Sequence, residues 1–282
     1  MLKMAKNDMS FIELGARERA RQILDQGSFR ELLDPFDKIT SPWLEPQGIV
    51  PEFDDGMIIA KGMINGKPTV VMAIEGVFQG GSMGEVSGAK MASALELAAE
   101  DNRKGIATQA IMLFETGGVR LQEANLGLAA IADIHSAIVD LRRYIPVIGI
   151  IAGTVGCFGG MSIAAGLCSY LIVTREARLG LNGPQVIEQE AGIDEYNSRN
   201  RPFIWSMTGG EVRKKNGFAD IIVNDSVIEI KNAINQCIDK GLPKRLRSDN
   251  YAYYLDKLNK VDTTKQADAT MVESLFGKGG TK

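Results

Sequence analysis

The sequence predicts an α/β fold with a largely parallel sheet, and three observations carry that expectation. Apolar, β-branched runs alternate with segments of helical periodicity from about residue 56 to residue 240. One pair of runs is joined by Asn65-Gly66, the strongest short hairpin signal. Glycines gather where strands give way to helices, with five between Gly76 and Gly88 and further clusters at 117–118 and 153–160.

From the amino end, "SFIELGARERARQILDQG" sets Ser10 three residues before Glu13, a capping box, and closes at Gly27, so a helix is expected across it. Ser28 with Glu31 forms a second box and predicts a second helix, followed by the Pro-rich connection "DPFDKITSPWLEPQGIVPEFDDG". "GMIIAKGMINGKPTVVMAIEG" reads as an antiparallel hairpin, because Asn65 and Gly66 tolerate the positive φ that a type I′ turn requires. A helix over 84–105 precedes a strand over 108–115, and a longer helix runs from about Leu121 to Tyr144, stopping before Pro146. "PVIGIIAG" is a buried strand, "GGMSIAAG" a short helix, "SYLIVTRE" a strand and "ARLGLNG" an extended piece. "PQVIEQEAG" and "TGGEVRKKNG" supply helical turns, "FADIIVND" a late strand and "SVIEIKNAINQCIDKG" an amphipathic helix. The closing stretch "KQADATMVESLFGKGGTK" offers little to pack and is expected to fray.

Composition narrows the function. The 282 residues are 45% hydrophobic, enough for a sizeable core, and no internal repeat or long linker divides them. A net charge of -3 with scattered Lys and Arg lacks the basic face of a nucleic-acid binder. No stretch approaches the roughly 18 apolar residues of a membrane span and "MLKMAKNDMS" lacks a signal peptide's apolar core, so a cytoplasmic protein without a membrane partner is expected. Cys157, Cys168 and Cys237 are too widely spaced for a zinc motif and odd in number, so reduced, mostly buried thiols and no metal site are expected. His135 is the single histidine.

Three Gly-rich junctions each follow a strand and precede a helix: "EGVFQGGSMG", "ETGGVRLQE" and "AGTVGCFGGMS". In open parallel sheets ligands bind beyond the carboxyl ends of strands, where backbone N–H groups at helix starts suit negative charge. Gly80-Gly81-Ser82-Met83-Gly84 matches a nucleophile elbow, but His135 lies mid-helix on a stripe with Leu128, Ile131 and Ile138, which favours a packed or interface histidine over a triad base. Ala89 separates Gly88 from Lys90 and no Ser or Thr follows, so this is no phosphate loop; Lys90 is either a solvated helix lysine or a ligand-phosphate contact. Gly117-Gly118 is either a tight turn, with Arg120 and Glu123 as a surface pair, or a means of presenting the N–H groups of Gly118 and Val119. Gly159 and Gly160 pose the same choice. Donors from two junctions aimed at one point would form an oxyanion hole, each worth about 3 kcal/mol in a transition state, and this suits an enolate.

At these residues the sequence resembles a known family. "PVIGIIAGTVGCFGGMSIAAGLCSYLIVTREARLGLNGPQVIE" resembles the signature of the crotonase fold, and "FQGGSMGEVSGAKM" with "ETGGVRLQEA" resembles its carboxyltransferase branch. Within that branch the β subunits of biotin-independent malonate decarboxylases are the most similar, also at "SPWLEPQGIVPEFDDGMIIAKG", and the resemblance spans about residues 28–240. It implies a crotonase-like ββα superhelix with an N-terminal helical segment: residues 1–55 packed on a carboxyltransferase core at 56–240, and a C-terminal segment at 241–282, together one domain. It also implies decarboxylation of a malonyl thioester to acetyl-carrier protein and carbon dioxide, with no covalently bound cofactor. The phosphopantetheine group would be delivered by an acyl carrier protein subunit, and a homologous γ-type crotonase-fold subunit would complete the active site.

On this reading Gly118, Val119, Gly159 and Gly160 stabilise the enolate, while Gly80, Gly81, Ser82, Met83, Gly117 and Lys90 line the thioester and its pantetheine arm. Arg120 and Glu123 hold the helix start or the subunit interface. Gly160→Val is expected to block the backbone approach in a folded protein. The main rival, the β subunit of a biotin-dependent acetyl-CoA carboxylase carboxyltransferase, normally begins with a four-cysteine zinc ribbon, whereas the first cysteine here is Cys157. An enoyl-CoA hydratase would need acidic residues that "GLNGPQVIEQEAG" does not place, and a non-catalytic scaffold subunit is the remaining alternative.

Overall fold

In the computed structural model, which describes residues 9–265 and 268–276, seven strands lie side by side in chain order. They are β1 (Arg30–Leu32), β2 (Met57–Ile64), β3 (Lys67–Ile74), β4 (Gln109–Phe114), β5 (Val147–Ile151), β6 (Tyr170–Thr174) and β7 (Ile221–Val223). β1, β2 and β3 pair antiparallel, and every later pairing is parallel. Asn65 and Gly66 take φ of 49° and 71° at the hairpin, as a type I′ turn demands.

The helices are α1 (Ala16–Ile23), α2 (Glu85–Arg103), α3 (Asn125–Leu141), α4 (Gly159–Leu167), α5 (Pro184–Ala191), α6 (Arg201–Thr208), α7 (Gly210–Lys215), α8 (Val227–Lys240), α9 (Tyr251–Leu258) and α10 (Ala269–Phe276). Alternate strand residues point to opposite faces. Val70, Met72, Met112 and Leu171 pack with α2, α3 and α4, whereas Val71, Ile111, Ile148 and Ile172 pack with α1 and α8. Strands covered on both faces need apolar residues throughout, hence the unbroken apolar runs.

Beyond the carboxyl ends of β3 to β6 the connecting segments pair again. Met83 bridges Val119, Thr116 bridges Cys157 and Cys157 bridges Leu179, all parallel, and Arg178 bridges Gly209. The Gly-rich junctions therefore stand in a row, each held at a fixed height by its neighbour.

Several local expectations give way to long-range partners. The Ser10 box does not open a helix: Ser10 donates to Asp225, whose carboxylate also accepts the N–H groups of Phe11 and Ile12 at 2.7 and 2.9 Å, and α1 begins only after Gly15. The Ser28–Glu31 box forms strand β1, because Ser28 accepts the N–H of Met63 and Glu31 pairs with Arg17. The helix expected from Leu121 is interrupted at Ala124, whose φ of 43° separates a 3-10 turn at Leu121–Glu123 from α3. Within the stretch expected to fray lies α10, where Phe276 is buried 5.3 Å from the ring centre of Phe218; residues 266–267 and 277–282 lie outside the described residues.

Candidate active site

At two points of the row only glycine fits. Gly81 has φ of 66°, and a Cβ there would lie 1.8 Å from the carbonyl oxygen of Glu115. Gly118 has φ of 113°, and its Cβ would lie 3.1 Å from the Cα of Gly159. The second and third junctions thus touch backbone to backbone. Gly117 links the first two, donating its N–H to the carbonyl of Gly80 at 2.9 Å.

Hydrogen bonding separates the four candidate donors. The N–H of Gly118 is occupied by the Thr116 hydroxyl at 3.0 Å and that of Gly159 by the Leu181 carbonyl at 2.6 Å, so neither is a free donor as the sequence suggested. The N–H groups of Val119 and Gly160 meet no acceptor among the described residues. Gly160 is the second residue of α4, where an N–H has no intrahelical partner and the helix dipole favours negative charge. One free donor remains on each of two touching segments.

Beneath this edge lies a cluster of buried charges. Arg120 is fully buried, donating to Asp55 at 2.6 Å, to Glu123 at 2.9 Å and to the Ser82 carbonyl at 3.0 Å, with its guanidinium over the Phe78 ring. The two carboxylates cap α2: Glu123 accepts the N–H of Glu85 at 2.6 Å and Asp55 that of Ser87 at 2.8 Å. Burial pushes the Asp55 carboxyl above its ordinary range while Arg120 opposes the shift. Arg120 and Glu123 therefore hold a helix start and are not a surface pair. Glu115 braces the edge just after β4 in a similar way, accepting from Arg19 and from the N–H of Val155, both at 2.8 Å, and packing against Gly76 and Gly153.

The sequence does not single out Asp55, Arg19 or Glu115. The contacts that join Glu115 to Arg19 and Val155, and Asp55 to Arg120, span at least 40 positions of the chain, and the Asp55–Ser87 contact spans 32; no local pattern marks such pairings.

The remaining candidates divide. Gly80 and Gly117 are exposed and Ser82 is half-buried at the same edge, whereas Gly81 and Met83 are buried within it. Lys90 is turned inward, its ammonium donating to the carbonyls of Leu33 and Asp54 at 3.1 and 2.9 Å, and burial lowers its pKa. It therefore braces α2 instead of reaching a ligand phosphate, because its position faces the core side of that helix. Ser82 Oγ meets Arg120 Nε at 3.4 Å, and His135 is engaged with the Gly160 carbonyl at 2.8 Å, so the elbow lacks a base on the serine. A cavity of about 550 Å³ bordered by Arg30, Lys61 and Thr108 sits at the amino ends of the parallel strands, the edge away from these junctions.

The chain is similar to several known proteins. A carboxyl transferase domain matches residues 13–272. The malonyl-S-ACP:biotin-protein carboxyltransferase of Malonomonas rubra is 41% identical over 245 residues, which is 83% of this chain and 77% of that protein. A Pseudomonas malonate decarboxylase hetero-tetramer, crystallised in complex with malonate, contains a chain 65% identical with a TM-score of 0.92, covering 95% of this chain and 98% of that one. A Pseudomonas malonate decarboxylase hetero-dimer contains one 58% identical with a TM-score of 0.76, covering 89% and 97%. Matched by a carboxyl transferase domain over residues 13–272, this chain belongs to the carboxyl transferase domain family.

Proposed function

We propose that the chain is the β-type catalytic subunit of a heteromeric malonyl-thioester decarboxylase. The observation that carries this is the pair of unpartnered N–H groups, Val119 and Gly160, on backbone segments in contact. A thioester oxygen seated between them would accept both. When the bond from the methylene carbon to the carboxylate breaks, its electron pair enters an enolate, the negative charge moves onto that oxygen and carbon dioxide leaves. Donors fixed in advance favour the charged transition state over the neutral carbonyl.

The exposed backbone at Gly80 and Gly117, with Ser82, would flank the pantetheine arm carried by an acyl carrier protein, and Gly81 and Met83 shape that wall from within. The proton that converts the enolate to an acetyl group would come from the γ-type second subunit. The hetero-dimeric and hetero-tetrameric assemblies of the Pseudomonas relatives support a second subunit, and the carrier protein follows from the substrate in the Malonomonas relative's name.

A second reading, transfer of the carboxyl group to biotin, is favoured by the 41% identical relative, against the 65% identical decarboxylase chain. The two separate in one experiment. The chain with its second subunit should release carbon dioxide from malonyl-S-acyl carrier protein without biotin; strict dependence on a biotinyl protein would install the transferase reading. Full turnover by the chain alone would refute the shared site.

A further inference from the structure

We propose that the cavity beside α4 receives the carboxylate of the malonyl group and that Arg213 binds it; this rests on the decarboxylase reading. The cavity, of about 280 Å³, is lined by Ser162, Leu179, Gly180, Leu181, Arg213 and Phe218 among others. It begins next to the oxyanion edge: the Leu181 carbonyl accepts the N–H of Gly159, and the Ser162 hydroxyl donates to the Gly159 carbonyl at 2.7 Å. A malonyl carboxylate is separated from its thioester carbonyl by one methylene group. Two lining residues touch Gly159, which precedes the Gly160 donor in the chain, whereas the pantetheine phosphate lies at the far end of a long arm.

Arg19 and Arg120 each meet a carboxylate, at 2.8 and 2.6 Å, and Arg247, which also borders the cavity, pairs with Asp220. Arg213 donates Nε to the Leu179 carbonyl at 2.7 Å and lies over the Phe218 ring, but it has no carboxylate partner among the described residues. Arg142 and Arg178 also lack a carboxylate, but Arg142 spends both terminal nitrogens on the Leu167 carbonyl and the Ser248 hydroxyl and Arg178 spends one on the Thr154 and Val155 carbonyls, whereas Arg213 donates only through Nε among the described residues. Burial depresses its pKa to about 10, with the Tyr196 phenol the one group opposing the shift. A partly buried guanidinium without a carboxylate partner, facing a cavity that Leu179, Leu181 and Phe218 line, is a receptor for an anion.

The charge pattern fixes what this contact does. A guanidinium stabilises the ionised carboxylate of bound substrate and gains nothing from neutral carbon dioxide, so it serves binding and selection of malonyl over acetyl, not bond breaking.

Binding of free malonate to the chain with its second subunit, measured by calorimetry, needs no turnover. Arg213→Met should weaken malonate binding by on the order of 10- to 100-fold, and Arg213→Lys should recover part of it. In turnover of malonyl-S-pantetheine, Arg213→Met should raise KM by a similar factor without lowering kcat, and inhibition by acetyl-S-pantetheine should be unchanged. Equal malonate affinity in wild type and a folded Arg213→Met protein overturns the proposal, as does a parallel loss of inhibition by acetyl-S-pantetheine. If the wild type binds malonate through Arg213 yet releases no carbon dioxide from the thioester, the decarboxylase reading fails while this site stands.

Discussion

Gly118→Ala tests the oxyanion edge at its tightest point. Gly118 has φ of 113°, and an added Cβ would meet the Cα of Gly159 at 3.1 Å, so the two junctions must separate by a few tenths of an ångström or the backbone must rotate. Rotation at Gly118 turns the next peptide, whose N–H is the free donor of Val119. Forcing an L-residue into this region costs about 1–2 kcal/mol, a loss that a folded domain of this size tolerates. Misaligning one oxyanion donor costs about 3 kcal/mol in the transition state, or 10²- to 10³-fold in kcat. The measurement is kcat for malonyl-S-acyl carrier protein alongside the melting temperature. Gly183→Ala is the control, since its φ is negative and its Cβ would meet nothing within 4 Å, and it should keep kcat within about threefold. Wild-type kcat in a folded Gly118→Ala protein would remove this edge from the chemistry. Gly160→Val, which the sequence suggested, is a poorer probe: its Cβ would meet Ile131 Cγ2 at 2.8 Å, so the change drives α4 from α3 instead of filling the substrate side.

Other predictions concern the supports of the site. Arg120→Met leaves Asp55 and Glu123 buried without their cation and should destabilise the fold by about 3–5 kcal/mol in urea unfolding. Lys90→Met should lower the melting temperature but hold KM for the thioester within about twofold, because its ammonium is tied to the Leu33 and Asp54 carbonyls. Burial raises the Cys168 and Cys237 thiols to about 12. The native state then holds these protons after the unfolded chain has lost them, so this contribution to stability is complete below a thiol's ordinary value near 8.5 and is lost as pH rises towards 12. Alkylation at pH 8 should accordingly label all three buried cysteines only after unfolding. Phe276→Ala should cost about 3 kcal/mol by thermal melting, since its ring closes a cluster with Phe218 and Tyr254.

Features that depend on neighbours in the chain are legible in the sequence. Apolar runs buried on both faces announced the parallel strands, Asn65-Gly66 specified the hairpin turn, and paired glycines marked the junctions, because backbone sterics and pleat period act over two to four residues. The spaced motifs likewise identified the family, which the carboxyl transferase match extends to residues 13–272. The tertiary structure decided which of several satisfactory local answers each segment adopts. Ser28 and Glu31 make as good a helix start as a strand until Met63 and Arg17 engage them, and Arg120 could pass for a surface residue until Asp55, 65 positions away, encloses it. It also decided which backbone N–H groups of the two junctions remain free: Thr116 and Leu181 occupy those of Gly118 and Gly159, leaving Val119 and Gly160. A backbone donor is free or occupied only with respect to acceptors brought from elsewhere in the chain, and their positions are fixed by the packing of the whole fold.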